Sequence, residues 1–391
     1  MPTLRTGGSA GEVLGLIAAG TARTRSDLCR QTGLSRATVS ERLEVLFRAQ
    51  LVSEGDEATR TGGRPSRVLT LSPARYVVLA ADVGEDHVRL VATDLAGTLL
   101  GERLGSVLVA AGPDAVLGWV TDAAQELLSA TGHSPADVLG LGLSVPAPVD
   151  WVHGQVTGPS VMTGWAGVDI ASGVQRRLDV PVLVENDVNA RGYGELAQGW
   201  QEEEVFYVKA GTGIGSAILS AGHLFRGALG AAGDIGHIRL DPENGPLCRC
   251  GAVGCVEAMA AGWSIVRDLR LAGIEVADTR AAVALAAQDV PEAVHLLRRS
   301  GRTIGRAIAY AVSLLNPGAV VVTGSLAGPG QHLLTGIRES VYAYCLPLAT
   351  NEISIVEGRS GERGGALGMA RLVVAHRLTA DRVNTHLRSF V

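Results

Sequence analysis

Val205 to Ala210, Gly211-Thr212-Gly213-Ile214-Gly215 and Gly215 to Ser220 read as a strand, a glycine-rich turn and a second strand. Apolar runs bounded by glycine predict strands. Glycines let a backbone approach a bound group and offer N–H donors to an anion. Gly211, Thr212, Gly213 and Gly215 are therefore candidates for a phosphate loop, or simply for a tight turn. Upstream, Tyr76 to Val83, His87 to Asp94 and a stretch around Thr98 to Leu108 read as three strands. A helix from Asp114 to Ala130 and a strand from Val138 to Val145 follow. Beyond the glycine turn come a long helix, Ala293 to Leu315, and a strand, Ala319 to Thr323. Three strands, a helix and a strand, used twice, predict two related α/β lobes with a cleft between them.

The chain has 391 residues, 47% hydrophobic and 19% charged, which fits a globular protein of two or three domains. Aromatics are only 4%, so the core is built from Ala, Val, Leu and Ile. No apolar run reaches the ~18 residues of a membrane span. Met1 to Gly11 lacks the apolar segment of a secretory signal, and a cytoplasmic protein is expected. Five Cys are too few for a disulfide scaffold, and three of them fall within eight positions, which points to metal. The net charge of -5 argues against a nonspecific nucleic-acid binder. It is unevenly spread. Residues 1–75 carry 11 Arg against 7 acids, net +4, and the remainder is -9. A basic head on an acidic body predicts two functions in one chain.

The head reads as three short helices, Ala10 to Ala18, Ser26 to Thr32 and Arg36 to Arg48. Gly33-Leu34-Ser35 is the turn before the third helix, and Ser35 is its N-cap. Val39, Leu43 and Leu46 recur at helical spacing and face inward, leaving Arg36, Thr38, Ser40 and Arg42 outside. Ser66 to Leu71 is the return strand of a hairpin whose tip is Thr61-Gly62-Gly63-Arg64-Pro65. The pattern is a winged helix-turn-helix over residues 1–73, although a three-helix protein-interaction module shares much of it. As a DNA reader, it would set Ser35, Arg36, Thr38, Ser40 and Arg42 in a major groove and Arg64 in the adjacent minor groove.

Three further motifs give the body its chemistry. Glu185-Asn186-Asp187-Val188-Asn189-Ala190 follows the strand Pro181 to Val184. Acid and amide groups at a strand end suit a polyol, with Asp187 placed as a general base, and they equally suit a helix N-cap. Gly233-Asp234-Ile235-Gly236-His237 precedes Cys248-Arg249-Cys250-Gly251-Ala252-Val253-Gly254-Cys255-Val256-Glu257. Cys248, Cys250 and Cys255 with His237 form a Cys₃His set with no open position, hence a structural Zn2+. With one ring nitrogen on the metal, His237 keeps the other for a ligand.

Together these motifs, in this order, resemble the ROK family of repressors, open reading frames and kinases. The resemblance covers nearly the whole chain. It implies the two-lobed fold of sugar kinases, actin and the Hsp70 ATPase over residues 74–391. Lobe one would be about 74–188 plus the C-terminal helix, and lobe two about 189–369. It implies that Asn186, Asp187, Asp234, His237 and Glu257 hold sugar hydroxyls, that Asp187 occupies the kinase base position, and that His237, Cys248, Cys250 and Cys255 hold zinc. Two departures stand out. The family usually has Glu where this chain has Asp234, one methylene shorter. ROK kinases receive ATP phosphates on Asp-x-Gly-Gly-Thr, and here the segment is Asp82-Val83-Gly84-Glu85-Asp86. Each carboxylate about 4 Å from a phosphate oxygen costs ~1 kcal/mol in water and ~4 kcal/mol at an effective dielectric near 20. Thr323-Gly324-Ser325-Leu326, on the adenosine side, also lacks a full Gly-Gly run.

The reading that follows is a sugar-responsive transcriptional regulator, a repressor, that binds double-stranded operator DNA and a sugar or sugar phosphate and catalyses nothing. It is expected to be a homodimer or tetramer, with helices such as Thr279 to Gln288 as the candidate interface. An active sugar kinase with a DNA-binding head is the alternative. A regulator whose effector is a partner protein is a third.

Overall fold

The structure is a computed structural model that describes residues 8–59, 66–72, 75–157, 162–200 and 202–388. The head contains α1 (Ala10–Ala18), α2 (Arg25–Thr32) and α3 (Arg36–Arg48), then β1 (Val52–Thr59) and β2 (Ser66–Leu71). Each helix starts where the sequence supplies a cap. Ser9 and Glu12 form a reciprocal capping box, Thr24 caps α2 and Ser35 caps α3. Gly33, at φ 72°, ends α2 in the left-handed conformation a tight turn needs. Leu14, Leu28, Val39, Leu43 and Leu46 fill the space between the three helices. β1 and β2 pair antiparallel, with Val52 opposite Leu71. Arg64 and the rest of the expected wing tip lie outside the described residues.

The body repeats one sheet topology. The first half runs β3 (Val77–Val83), β4 (Val88–Thr93), β5 (Leu99–Gly105), α4 (Pro113–Thr131), β6 (Val138–Val145), the short pair β7 (Val149–Asp150) and β8 (Gln155–Val156), α5 (Ile170–Gln175) and β9 (Val182–Asn186). The second runs α6 (Asp187–Glu195), β10 (Glu204–Ala210), β11 (Ile214–Ser220), β12 (His223–Phe225), α7 (Val256–Ala260), α8 (Gly262–Leu271), α9 (Thr279–Ala287), α10 (Pro291–Leu315), β13 (Ala319–Thr323), α11 (His332–Tyr344), α12 (Pro347–Thr350) and β14 (Ser354–Glu357). The strand orders are β5-β4-β3-β6-β9 and β12-β11-β10-β13-β14. In each sheet three strands are antiparallel and the third continues parallel into two more. All seven residues of β3 are buried, as expected for a central strand covered on both faces. The twofold use of one pattern read from the sequence is thus present, with a fifth strand in each half.

Two C-terminal helices tie the parts together: α13 (Gly364–Arg377) and α14 (Ala380–Arg388). Gly140 and Gly142 of β6 leave room for Val373 and Met369 of α13. α13 also crosses α6 at backbone distance. A Cβ on Gly368 would stand 1.9 Å from the Ala190 carbonyl oxygen, so only glycine fits there. The other face of α6 meets β11, where Val188 packs on Gly215. Helix α6 therefore sits at the joint between the sheets. Past α13 the chain reaches back to the head. The Gly11 N–H donates to Asn384 Oδ1 at 3.0 Å, and Leu378 and Val383 share one core with Val13, Leu14 and Ile17. The C-terminal segment expected to belong to the body alone thus packs on both body and head. Among the described residues, no helix is long and apolar enough to cross a membrane.

Candidate functional site

Asn186 and Asp187 stand where β9 runs into α6. Asn186 is the N-cap. Its Oδ1 accepts from the N–H groups of Val188 (3.0 Å) and Asn189 (3.2 Å), and its Nδ2 donates to the Ala147 carbonyl at 3.0 Å. The capping role of this block is therefore realised. Asp187 opens the helix and is buried, with Oδ2 accepting from Lys209 Nζ at 2.5 Å. Lys209 lies on β10, two residues before the glycine turn. Beside them the buried Glu185 accepts from Asn189 Nδ2 (2.9 Å) and Arg226 Nε (2.7 Å), and the Arg226 guanidinium lies 4.6 Å from the Trp151 ring centre.

The glycine turn joins β10 and β11, as its sequence predicted, and its donors are partly satisfied within the protein. The Gly211 N–H donates to the Gly213 carbonyl, and the Ile214 N–H to Glu257 Oε2 at 3.2 Å. Thr212 is exposed. Its carbonyl and that of Gly211 are capped by the first N–H groups of α8. Glu257, in the first turn of α7, thus joins the turn to the segment holding His237, because its own N–H donates to the Gly236 carbonyl. Asp187, Lys209, the turn, Glu257 and His237 form one contiguous set. Asp234 is exposed on the Gly233–Gly236 turn, its Oδ1 3.7 Å from where a Cβ on Gly236 would lie.

Beyond His237 the three cysteines fold back as a knuckle. The Gly251 N–H donates to the Cys248 carbonyl and the Cys248 N–H to the Ala252 carbonyl. Gly254, at φ 76°, passes so close to Asp241 that any Cβ would meet its carbonyl. His237, Cys248, Cys250 and Cys255 bring their donor atoms within 4.8 Å of one another. Cys250 Sγ lies 3.8 Å from Cys255 Sγ, and Cys248 Sγ lies 3.8 Å from His237 Nδ1. Four donors on a tetrahedron with bonds of about 2.3 Å are separated by about this much, so the set can hold a metal ion. Nδ1 faces the sulfurs, which leaves Nε2 for another partner. Burial pushes the Cys255 thiol up to about 12 and raises that of Cys248. An incoming cation has to displace protons there.

On the other side of the cleft, Asp82 ends β3 and Gly84 to His87 make the hairpin into β4. Asp86 is exposed and bonds to His87 Nδ1 at 2.7 Å, which holds its carboxyl below the usual range. Asp82 is buried and pairs with Arg191 of α6 at 2.8 Å. In the head, Arg36 and Ser40 are exposed on α3. Ser40 accepts from Arg25, which also pairs with Glu54. The hydroxyls of Ser35 and Thr38 are 2.9 Å apart, and that of Ser35 caps the helix. Arg42 Nε donates to the Gly8 carbonyl at 3.0 Å. Of the residues expected on DNA, Arg36 is thus the exposed cation of the helix, and Arg42 is engaged by the chain preceding α1.

Residues 78–376 match the model of the ROK family. The chain belongs to the ROK family. A xylose repressor from Bacillus spizizenii is 28% identical over 363 residues, 90% of this chain and 91% of that protein. A glucokinase from Halalkalibacterium halodurans is 28% identical over 281 residues, 68% of this chain and 85% of that protein. Among solved structures, a ROK family transcriptional regulator described as a homolog of the E. coli MLC protein superposes with a TM-score of 0.81. It covers 97% of this chain and 98% of its own at 23% identity.

Within this ROK body, three cations of the site escaped the reading of the sequence. Lys209, Arg191 and Arg226 pair with Asp187, Asp82 and Glu185, which are 22, 109 and 41 positions away. Glu195 is a fourth residue that it missed. It is fully buried and accepts from the Trp200 indole and the N–H groups of Arg359 and Ser360, so it fastens α6 to the loop before α13. The one signal available for these residues was charge inside an apolar, glycine-rich context, because buried charges are paired or functional.

Proposed function

We propose that this chain is a sugar-responsive DNA-binding repressor whose cleft holds a sugar or sugar phosphate without phosphorylating it. The observation that carries this reading is a winged helix-turn-helix joined to a ROK cleft whose base-position carboxylate, Asp187, is already engaged by Lys209. The ammonium takes a lone pair of Oδ2 and fixes the carboxylate, leaving Oδ1 to accept from a hydroxyl, while Glu85 and Asp86 on the phosphate side oppose a nucleotide. Asp187 then serves as a fixed acceptor for a sugar hydroxyl. Glu257 and His237 Nε2 supply the far side of the pocket, Asn186 sets the start of α6, and Asp234 closes in from its exposed turn. The Gly211–Gly215 turn is a phosphate-loop remnant in this reading, with Gly213 against Glu257.

A structural Zn2+ on His237, Cys248, Cys250 and Cys255 would fix the knuckle and the ring of His237. Residues 1–73 form the DNA-binding unit and 74–391 the ROK unit. Sugar that shifts α6 acts on α13 through the Gly194–Gly368 crossing, and α14 carries the shift to α1. Sugar and DNA then favour different arrangements of the same chain. One helix-turn-helix reads too few base pairs to select a site, so the working unit is a homodimer. In α9, Thr279, Ala282 and Ala286 are buried in their own lobe, and Arg280, Ala284 and Ala287 are exposed and open to a second copy. The exposed Tyr310, Leu314, Tyr344, Leu346 and Leu348, where the C-terminal ends of α10 and α11 meet, are the better surface for a second copy.

The test is operator release. DNA flanking the coding region is titrated with the full chain, with and without D-xylose, the sugar named for the Bacillus relative, and then D-glucose. No change in DNA affinity with any sugar of a wider panel overturns the reading. The kinase alternative is favoured by the likeness to glucokinase, and a coupled assay with MgATP separates the two.

A further inference from the structure

Asp82 is a buried acid near the end of β3. Its Oδ1 accepts from Ser144 Oγ at 2.8 Å and its Oδ2 from Arg191 NH2 at 2.8 Å. The N-terminal turn of α13 closes over it so tightly that a Cβ on Gly365 would sit 2.1 Å from Oδ2. A charged carboxylate in such a place is costly unless it is paired, and a metal ion or a cationic side chain can pair with it. Here the cation comes from the chain. Arg191 follows Asp187 by four positions, so both project from one face of α6. Its NH1 donates to the Gly361 carbonyl at 3.2 Å, while its buried Nε has no partner among the described residues. The guanidinium is placed for Asp82 at the expense of one of its own donors. Burial works against its charge, yet Asp82 and the acids nearby hold it above its ordinary value.

We propose that Arg191 occupies the seat of a divalent cation at Asp82. The cleft is thereby charge-balanced without metal-bound nucleotide, and Arg191 is a specificity-determining residue that restricts the site to sugar. Mg2+ and Mn2+ are held by one or two carboxylates with water and phosphate oxygens filling the remaining positions, and Asp82 with the Ser144 hydroxyl offers such a start. The guanidinium excludes that ion by charge and by volume. The inference rests on the reading of the cleft as a non-phosphorylating sugar site, but its central consequence can be tested without sugar. Removing the charge of Arg191 should uncover a divalent-cation site at Asp82.

The experiment uses the full chain, Mn2+ alone as the probe, and the variants R191Q, R191M, R191K and D82N/R191Q. Melting temperature and Mn2+ binding by electron paramagnetic resonance are read for each. R191Q and R191M should melt below the parent and regain about 2 °C or more in millimolar Mn2+. Their Mn2+ affinity should exceed the parent's about tenfold, a difference of ~1.4 kcal/mol. The parent, R191K and D82N/R191Q should show neither effect. A Mn2+ response of R191Q no larger than that of D82N/R191Q overturns the proposal. So does failure of both neutral variants to fold in medium supplemented with Mn2+. D-xylose-induced change in the melting of the parent is measured in parallel. Absence of any sugar response across the wider panel overturns the sugar reading and leaves the cation result standing.

Discussion

Replacing Lys209 with Met keeps the length of the side chain and removes its charge. Asp187, whose side chain is 9% exposed, then loses its partner, while Lys209 in the parent is 30% exposed. Breaking a fully buried pair costs about 3–5 kcal/mol, and an exposed one about 0–1 kcal/mol. With one partner buried and the other partly exposed, the structure places Lys209→Met at about 2 kcal/mol. In a chain of 391 residues that is a fall in melting temperature of roughly 2–3 °C. Sugar response should fall at least tenfold as well, because the ammonium holds the Asp187 carboxylate in position for a hydroxyl. DNA affinity in the absence of sugar should be unchanged, since Lys209 lies on β10, in the body. Calorimetric melting, sugar titration and operator binding on one preparation test all three. Lys209→Arg, which can still donate to Asp187, should recover part of the sugar response. A variant that melts within about 1 °C of the parent and responds normally to sugar would refute the pairing and its consequence.

Changing any of Cys248, Cys250 or Cys255 to Ser should release about one zinc per chain by elemental analysis and weaken the sugar response, because the knuckle positions Glu257 and His237. Parent protein free of zinc would sink this. Arg36→Ala should cost about 1–3 kcal/mol on the specific operator and relax base preference there, whereas Arg64→Ala should matter most where A·T-rich flanks narrow the minor groove. A salt titration in which both variants match the parent would count against the docking. His376, on α13 between Trp151 and the arginines 377, 382 and 226, is held at about 4, first by burial and then by those charges, against an ordinary value of 6.5. A lowered histidine value means that the folded chain resists protonation. This group's contribution is present above pH 6.5 and lost as pH falls toward 4. Melting temperature should drop over that window, and His376→Gln should flatten the slope. An unchanged slope would remove His376 from the account.

Much of the protein was determined by the sequence alone, because the deciding signals are local. Ser35 three residues before Thr38, and Val39, Leu43 and Leu46 at helical spacing, specify α3 from one end to the other. A glycine-rich turn between two β-rich runs marks the β10–β11 hairpin, and Gly251 and Gly254, both at positive φ, set the cysteine knuckle, since few other residues adopt those backbone angles. Proline at the first position moved the start of α10 to Pro291, two residues before the apolar pattern announced it. What the tertiary structure decided are the partners. Asn186 is a cap because Ala147 and the start of α6 converge on its amide. Asp187 meets Lys209 because β10 lies beside the joint helix. Asp82 meets Arg191 because α6 lies beside the end of β3. Asn384 reaches Gly11 across 373 positions because α13 hands the chain back to the head. A helix or a turn is encoded in spacing along the chain. The countercharge of a buried acid is encoded in the order of strands within a sheet, and that order exists only once the lobes have closed around α6.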